Sequence, residues 1–318
     1  MSRLLIVIVN YRTAGMAVDC LRSLAPQIND DIRVTITDGL SGDDSVEVIG
    51  NAIRENGWHW ATLMPLEHNG GFAFGNNQAI RPALASDHPP DFILLLNPDT
   101  IVREGAIDAL LQFMISHPEV GIAGSRLEDP DGTPQRSAFR FHSIAAEFER
   151  GVRFGPVSSV LEKKIVAPEV SDVAMECDWV CGASMMVRRE VFNDVGVLDD
   201  RYFMYFEETD FTLAAKRAGW KTWYVPESRV VHLVGAASGF TNSKKPPKRR
   251  PTYWFDARRR YFVKNHGVLY ALAADAAFAT GFALWRVRRA IQRKPDSDPP
   301  QMLLDFVRNS VFMRGASL

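Results

Sequence analysis

Short apolar segments alternate with helix-like patterns over the first 126 residues, and this alternation restricts the possible fold more than any other feature. The predicted strands lie at 4–9, 33–37, 92–96 and 120–125, and the predicted helices at 15–24, 45–56, 73–85 and 104–116. Strands and helices that alternate at this spacing form a mostly parallel sheet covered by helices. The first part of the chain is therefore predicted to be an α/β fold.

The rest of the chain is less regular. Residues 127–175 contain a turn-like DPDG sequence at 129–132 but few periodic runs. Farther on, the pattern predicts a strand at 179–187, a helix from 208 to 218 that ends at Gly219, a loop at 235–251, aromatic- and arginine-rich helices to residue 294, and a linker at 294–300 before a short last helix.

Composition places the chain among globular proteins. Of its 318 residues, 46% are hydrophobic and 24% are charged. The three cysteines, Cys20, Cys177 and Cys181, show neither a disulfide framework nor zinc-ligand spacing, so we expect free thiols in a reducing cytosol. The apolar run at 4–9 is six residues long, which is too short for a signal sequence or a membrane span.

Charge is unevenly distributed along the chain. Residues 244–294 hold fourteen Lys and Arg against two acids, whereas the remainder carries a net charge of about −13. A basic segment on an acidic body indicates an anionic partner near that segment. A membrane surface, a phosphorylated substrate and nucleic acid are all candidates at this point.

The predicted strand at 92–96 runs directly into Asn97-Pro98-Asp99. Proline cannot donate to the ladder, so the strand ends there and leaves Asp99 at its carboxyl end. Ligands of open α/β sheets bind at that edge. Asp99 either caps the following helix or binds a hard cation such as Mg²⁺ or Mn²⁺.

Two further turns precede predicted helices. Asp38 follows the second strand and could accept hydrogen bonds from a base or ribose, although this turn could also serve only to cap the next helix through Asp43 or Asp44. The glycine-rich segment at 68–77 could bring backbone N–H groups close to a phosphate. It fits neither the Walker loop nor the GxGxxG pattern, so a plain turn is the alternative.

Acidic residues and one histidine mark the second half. Glu207, Glu208 and Asp210 open a helix, where they either complement its dipole or supply a general base. His232 ends an apolar strand and is either a structural core residue or a metal ligand at the same sheet edge.

Taken in order along one chain, these motifs resemble those of the family 2 glycosyltransferases of the GT-A fold, and in particular the bacterial rhamnosyltransferase-like branch. The matching segments are VIVNYRT, DGLSGD, NGGFAFGNN, LLNPDT, WVCGASMMVRREVF, FMYFEETDFTLAAKRAGW and VVHLVGAASG. The resemblance implies a Rossmann-like, mixed and mostly parallel sheet flanked by helices. It also implies a catalytic domain at 1–240, with a nucleotide-sugar-binding half at about 1–126 and an acceptor-binding half at about 127–240, followed by a basic helical extension at 241–318.

The resemblance implies a role for each matching residue. The residues expected to bind the nucleotide sugar are Asn10, Tyr11, Asp38, Ser41, Asp43, Asn69, Gly70, Gly71, Phe72, Asn76, Asn97 and Asp99. Trp179, Gly182 and Ala183 are expected on the acceptor side. Asp99 would hold Mg²⁺ or Mn²⁺ with His232 as a second ligand. Two positions depart from the family pattern, because Gly39 replaces an Asn and Asn97 replaces the first acid of the DxD motif.

The implied reaction is an inverting transfer of a sugar from a nucleotide-diphospho-sugar to a hydroxyl group. The best match is L-rhamnose from dTDP-L-rhamnose, delivered to a cell-surface glycan or a lipid-linked saccharide. Glu208 falls at the position of the family's base, which is usually Asp, with Glu207 as the second choice; Asp210 would orient the base or cap the helix.

Two other function classes remain open from the sequence. A nucleotidyltransferase that makes a nucleotide sugar usually carries a glycine-rich, basic loop after its first strand, and the loop at 10–13 lacks glycine. A nucleic-acid-binding protein could use the basic stretch at 244–264, although the acidic body argues against it and no nucleic-acid partner is expected. A homodimer is compatible with the sequence.

The basic segment suits an anionic membrane surface, since its arginines and lysine alternate with aromatic rings. Residues 268–285 are apolar but contain Asp275, and an acid at mid-span costs roughly 2.5–3.5 kcal/mol on insertion scales. We therefore expect a cytoplasmic protein that associates peripherally with a bacterial plasma membrane. The alternative is a helical hairpin with a solvated basic face.

Overall fold

The computed structural model describes residues 3–233 and 247–316. Of the loop predicted at 235–251, residues 235–246 lie outside the described residues. The described chain forms two compact units. The first comprises residues 3–139, 169–203 and 207–233, and the second comprises 140–168, 204–206 and 247–316.

A mixed β-sheet forms the centre of the first unit. Its strands are β1 (Leu4–Asn10), β2 (Ile32–Asp38), β3 (Ala61–Pro65), β4 (Phe92–Leu96), β5 (Thr100–Val102), β6 (Val120–Glu128), β8 (Met175–Cys177), β10 (Ser184–Arg188) and β11 (Lys221–His232), while β7 (Ala138–Phe139) and β9 (Trp179–Val180) pair separately. The strand order is β3-β2-β1-β4-β10-β6-β11-β5, with β8 beside β11. Strands β3, β2, β1 and β4 are parallel, and β10 runs antiparallel between β4 and β6.

Both faces of this sheet are buried. Leu4, Ile6 and Ile8 of β1 enter one apolar cluster, whereas Leu5 and Val7 enter a second cluster on the opposite face. Successive side chains of a strand point to opposite faces, so an uninterrupted apolar run requires cover on both sides. The covering helices are α1 (Ala14–Leu24), α2 (Ser45–Glu55), α3 (Gly71–Leu84), α4 (Ala106–Ser116), α7 (Arg189–Val195) and α8 (Glu207–Arg217). The predicted α/β class is confirmed.

Several predicted elements differ in detail. The strand predicted at 179–187 is two strands, β9 and β10, because the chain turns at residues 181–183 and joins different sheets. Strands β3 and β5 were not predicted. The predicted helix end at Gly219 is confirmed, since Gly219 adopts a left-handed φ of +98° after α8.

The second unit is helical. It contains α5 (Ile144–Val152), α6 (Gly155–Val160), α9 (Thr252–His266), α10 (Val268–Ile291), α11 (Met302–Asn309) and α12 (Val311–Arg314). The single short helix predicted after residue 300 is thus two helices. Residues 140–168 belong to this unit rather than to the first, and the expected domain boundary at residue 240 stays a prediction.

Helices α5 and α10 cross at two glycines. A Cβ atom at Gly151 would lie 2.7 Å from the Phe278 oxygen, and one at Gly281 would lie 2.6 Å from the Phe148 oxygen. Beside this crossing, Arg258 binds both Glu147 and Asp275, and all three side chains are buried. Such close approach and such ion pairing characterise helices that pack against protein.

Candidate active site

Asn10 and Asp38 end two adjacent parallel strands and lie opposite each other in register. Asn10 Nδ2 and Ser41 Oγ each donate to Asp38 Oδ2 at 2.7 Å, and the Ser41 N–H donates to Oδ1 at 3.0 Å. All three side chains are buried. The Asp38 carboxylate is therefore fixed by its own loop, and its contact with a nucleotide stays a prediction.

The turns after β1 and β2 present two exposed apolar groups. Tyr11 is 41% exposed and Leu40 is 56% exposed. Arg12 joins the turns, because its Nε donates to the Ser41 carbonyl at 2.8 Å while its guanidinium lies 5.1 Å from the Tyr11 ring centre. Arg12 and Leu40 have left-handed φ values of +57° and +53°, which are uncommon for such residues. A ring and a leucine beside a fixed carboxylate can hold a flat heterocycle.

The segment from Asn69 to Phe72 begins α3 and contacts the chain that leads to α8. Asn69 Oδ1 accepts from the Gly71 N–H at 3.0 Å, and the Phe72 N–H donates to the Phe203 carbonyl at 2.9 Å. Gly71 has a φ of +86°, and a Cβ there would be 1.8 Å from the Phe203 oxygen. A Cβ at Gly70 would strike Phe74 at 2.4 Å. Both glycines are required by close packing, so their approach to a phosphate stays a prediction.

Asp99 and His232 lie side by side at the carboxyl end of β4. Strand β5 pairs with the end of β11 so that Thr100 is opposite His232, and the Leu233 N–H donates to the Asp99 carbonyl at 2.9 Å. The His232 Nε2 atom is 3.5 Å from Asp99 Oδ1 and 3.5 Å from Asn97 Nδ2. The structure thus brings together the two predicted metal ligands.

The donor set at this edge fits a divalent cation. A carboxylate oxygen suits both Mg²⁺ and Mn²⁺, and the imidazole nitrogen of histidine is a common ligand of transition metals. Within residues 3–233 and 247–316, no three His, Cys, Asp or Glu side chains converge on one point. Among the described residues, Asp99 and His232 are the pair that could hold a cation at this edge.

The turn between β9 and β10 connects this edge to α8. The Ala183 carbonyl accepts from the Asn97 N–H at 3.0 Å, while a Cβ at Gly182 would be 3.9 Å from the Glu208 Cβ. A Cβ at Gly182 would be 3.2 Å from the Phe72 ring. Trp179, at the start of β9, stacks on Phe139 with ring centres 4.2 Å apart.

Electrostatics support the same grouping of carboxylates. The thiol of Cys181 lies in the β9–β10 turn, and burial raises its pKa to about 12, with the negative charges of Glu208 and Asp99 adding to the effect. A single thiol therefore experiences both carboxylates. The turn itself contacts Glu208 beside Gly182, and it is hydrogen-bonded to Asn97, two residues before Asp99.

Glu207 and Glu208 open α8, where Glu207 is buried and Glu208 is half-buried. Burial raises the pKa of Glu208 to about 7, against the opposing effect of N–H groups from Glu208 itself, Thr209 and Gly182. Burial and the adjacent charge of Glu208 raise the pKa of Glu207 well above its usual range. The Oε2 atoms of both are buried and have no hydrogen-bond partner among the described residues. A carboxylate with a pKa near 7 is suited to general acid–base work.

The remaining predicted residues have mainly local contacts. Asp210 Oδ1 accepts from the Tyr202 hydroxyl at 3.1 Å, which suits an orienting role. Asp43 is exposed, and hydrogen bonds from Ser45 at the start of α2 lower its pKa. Asn76 is buried in α3 and donates to the Phe72 carbonyl at 2.9 Å.

Sequence reasoning missed three positioning residues. Arg12 lies in a motif that was recognised, but its bond to the second turn needs the parallel pairing of β1 with β2. Thr100 donates to the Asn97 carbonyl at 2.7 Å and fixes the turn that carries Asp99. Phe203 acts through its backbone carbonyl, for which no side-chain signal exists.

The fold and the motifs can be compared with known proteins. The family model "Glycosyltransferase like family 2" matches residues 2–260. The chain is 28% identical over 246 residues to N-acetylglucosaminyl-diphospho-decaprenol L-rhamnosyltransferase of Mycobacterium tuberculosis, covering 74% of this chain and 77% of that protein. It is 26% identical over 180 residues to rhamnosyltransferase WbbL of Escherichia coli, covering 55% of this chain and 66% of that protein.

Solved structures show the same GT-A fold. The mannosyltransferase PcManGT of Pyrobaculum calidifontis, in complex with GDP-Man and Mn²⁺, aligns with a TM-score of 0.56 at 14% identity over 99% of this chain and 84% of that one. TarS of S. aureus aligns with a TM-score of 0.52 at 13% identity over 98% of this chain and 81% of that one. With the family model spanning most of its length, the chain belongs to glycosyltransferase family 2.

Proposed function

We propose that this glycosyltransferase is inverting and metal-dependent and that it transfers L-rhamnose from dTDP-L-rhamnose to a hydroxyl of a lipid-linked saccharide or cell-surface glycan. The observation that carries the proposal is that the turn at Gly182 and Ala183 contacts Glu208 and is also hydrogen-bonded to Asn97, in the segment that brings Asp99 beside His232. The sugar is suggested by the rhamnosyltransferases among the relatives.

In this proposal the acceptor hydroxyl attacks the anomeric carbon as the bond from that carbon to the diphosphate oxygen breaks. Glu208 takes the hydroxyl proton, and the attack from the opposite face inverts the configuration. Burial raises the pKa of the carboxyl to about 7, so the carboxylate is basic enough to accept a proton near neutral pH.

The leaving diphosphate would lie at the Asp99 edge. Asp99 and His232 would hold a divalent cation there, which would neutralise the negative charge of that leaving group. Manganese in the PcManGT structure supports the use of a divalent metal, and either Mg²⁺ or Mn²⁺ suits the ligands. The turns at Asn10, Tyr11 and Asp38 would hold the nucleoside.

The location follows from the proposed acceptor. A lipid-linked saccharide is made at a membrane, so we place the enzyme on the cytoplasmic face of the plasma membrane as a peripheral protein. The proposed division of labour assigns catalysis to residues 1–240 and membrane proximity to the basic residues that follow.

The test is release of nucleoside diphosphate from UDP-, dTDP- and GDP-sugars with Mn²⁺ or Mg²⁺, with and without EDTA. We expect metal-dependent release from dTDP-L-rhamnose, increased by acceptor-containing membranes, and inversion at the anomeric carbon of the product. Exclusive turnover of another donor would refute the choice of sugar. Turnover that persists in EDTA would refute the role of the metal.

A further inference from the structure

The solvent-facing side of α10 carries no charged residue over six turns. Apart from Val268 and Ala290, its exposed positions recur at helical spacing, and they are Leu269, Ala273, Ala276, Thr280, Leu284, Val287 and Ile291. We call these residues the apolar stripe. At 1.5 Å per residue the stripe is about 33 Å long. Leu269 is 84% exposed and Ile291 is 77% exposed, so both ends of the apolar stripe are accessible.

The opposite side of α10 is already occupied. Asp275, Phe278 and Phe282 are buried in the second unit, and the Gly281 backbone touches α5. Helix α10 is the one described helix that is long and apolar enough to cross a membrane. Only its apolar stripe faces outward. A helix with one side packed on protein and an ionised pair beneath it can lie on a bilayer but cannot be surrounded by it.

The charged residues of α10 lie outside the stripe, and each of its arginines binds a partner. Arg286 and Arg289 pair with Asp296 at 2.7 and 3.0 Å. Arg288 donates to the Val152 carbonyl at 2.9 Å. An ordinary solvated helix face would carry such groups outward, so the stripe is a surface from which charge is excluded.

Charge distinguishes between possible occupants of the stripe. The unit that bears it holds 19 Lys and Arg against 8 Asp and Glu, a net charge of +11. The rest of the chain carries −12. Two copies facing each other across this surface would bring together two strongly positive bodies. An anionic lipid surface instead attracts the positive unit and accepts the apolar stripe.

We propose that α10 lies in the plane of an anionic lipid surface, with the apolar stripe inserted among the acyl chains near the headgroups. This proposal extends the proposed function and rests on it, because a lipid-linked acceptor would present its sugar near the headgroups. The lipid charge and the apolar insertion contribute separately, so both are required for tight binding.

The experiment measures flotation of the full chain with vesicles of phosphatidylcholine alone or with about one-third phosphatidylglycerol. We compare the double variant L269E/I291E with the matched variant V46E/V173E, which makes the same charge change at exposed valines of the first unit. We expect at least about tenfold weaker binding of L269E/I291E to anionic vesicles and a change below about twofold for the control. Binding to phosphatidylcholine alone should be at least about tenfold weaker for all forms.

Unchanged vesicle binding by L269E/I291E overturns the proposal. So does light scattering that shows a dimer of the wild type converted to a monomer by L269E/I291E, which would assign the stripe to a second copy. Nucleoside-diphosphate release in solution, without vesicles, should be equal in both variants and separates the two proposals. Vesicle binding without any sugar transfer would refute the proposed function but would still support lipid binding by the apolar stripe.

Discussion

Gly71 lies directly against the carbonyl oxygen of Phe203, so that a Cβ atom at Gly71 would be 1.8 Å from that oxygen. The adjacent Phe72 N–H donates to the same carbonyl at 2.9 Å. The contact joins the start of α3 to the chain that leads into the acidic end of α8. Neither partner can move without moving the other.

Replacing Gly71 by alanine should therefore destabilise the protein. The side chain would clash with backbone, and φ at +86° adds strain for any residue with a Cβ. We expect Gly71→Ala to lower the free energy of unfolding by at least about 2 kcal/mol in urea titration. The matched control is Gly15→Ala in α1, where nothing lies within 4 Å; it should be neutral or stabilising by up to about 1 kcal/mol. Equal effects at both glycines would contradict the close packing.

Glu208→Gln should reduce turnover far more than it reduces donor binding. The amide keeps the shape of the side chain and can no longer accept the proton, and general-base catalysis contributes about 10²–10⁴-fold. Single-turnover sugar transfer should fall by that factor, while the affinity for nucleoside diphosphate changes little. Glu207→Gln is the matched control and should cost less. A larger loss at Glu207 would assign the base to that residue instead.

The raised pKa of Glu208 should also be visible in the pH dependence of activity. The base acts in its deprotonated form, and burial places its pKa at about 7. We expect kcat/KM to rise with pH up to about 7 and then to level off. An acid limb near the ordinary glutamate value of 4.5 would exclude a buried base.

The free energy of unfolding should also depend on the titration of Glu208, but it should fall over the pH range in which activity rises. Between pH 4.5 and 7 the folded state binds more protons at Glu208 than the unfolded chain does, so the free energy of unfolding falls as pH rises through this window. Glu208→Gln removes this loss and should stabilise the protein by on the order of 1–2 kcal/mol above the window. Urea unfolding at about pH 5 and pH 8 checks this. A variant no more stable at the higher pH would argue against the raised pKa.

Asp99→Asn and His232→Ala should each weaken metal binding. With two protein ligands at the site, loss of either should lower Mn²⁺ affinity at least about tenfold in the presence of nucleoside diphosphate, measured by calorimetry. Asp19→Asn, at an exposed ion pair with Arg22, is the matched control and should bind Mn²⁺ as the wild type does. Normal Mn²⁺ affinity in both site variants would place the metal elsewhere.

Burial on both sheet faces explains which parts of the fold were predictable. Strands β1 and β4 carry apolar residues on both faces, and β4 is buried at all five positions. Strand β2 alternates apolar residues with Arg33, Thr35 and Thr37. Each of the three can therefore be recognised as a strand without its neighbours. Strand β3 is mostly half-buried or exposed, and β5 has three residues directly after the proline turn. Both exist because a neighbouring strand pairs with them, which a local pattern does not contain.

The candidate site divides in a similar way. Asp99, Glu208 and His232 could be predicted as site residues because their type and position suggest chemistry and the family resemblance assigns them roles. The sequence did not contain the break between β9 and β10, where one predicted strand becomes two and Gly182 lies against Glu208. Contacts made by backbone groups do not depend on residue type, so the sequence alone did not predict them.

The ion pair between Glu147 and Arg258 also has a consequence for biosynthesis. The two residues are 111 positions apart in the sequence, and Glu147 leaves the ribosome first. At about 5–20 residues per second, α5 waits roughly 5–20 s for the helices that neutralise its buried carboxylate and cover Gly151. During that interval the first unit can complete its sheet, while the helical unit remains open until the last part of the chain has been made.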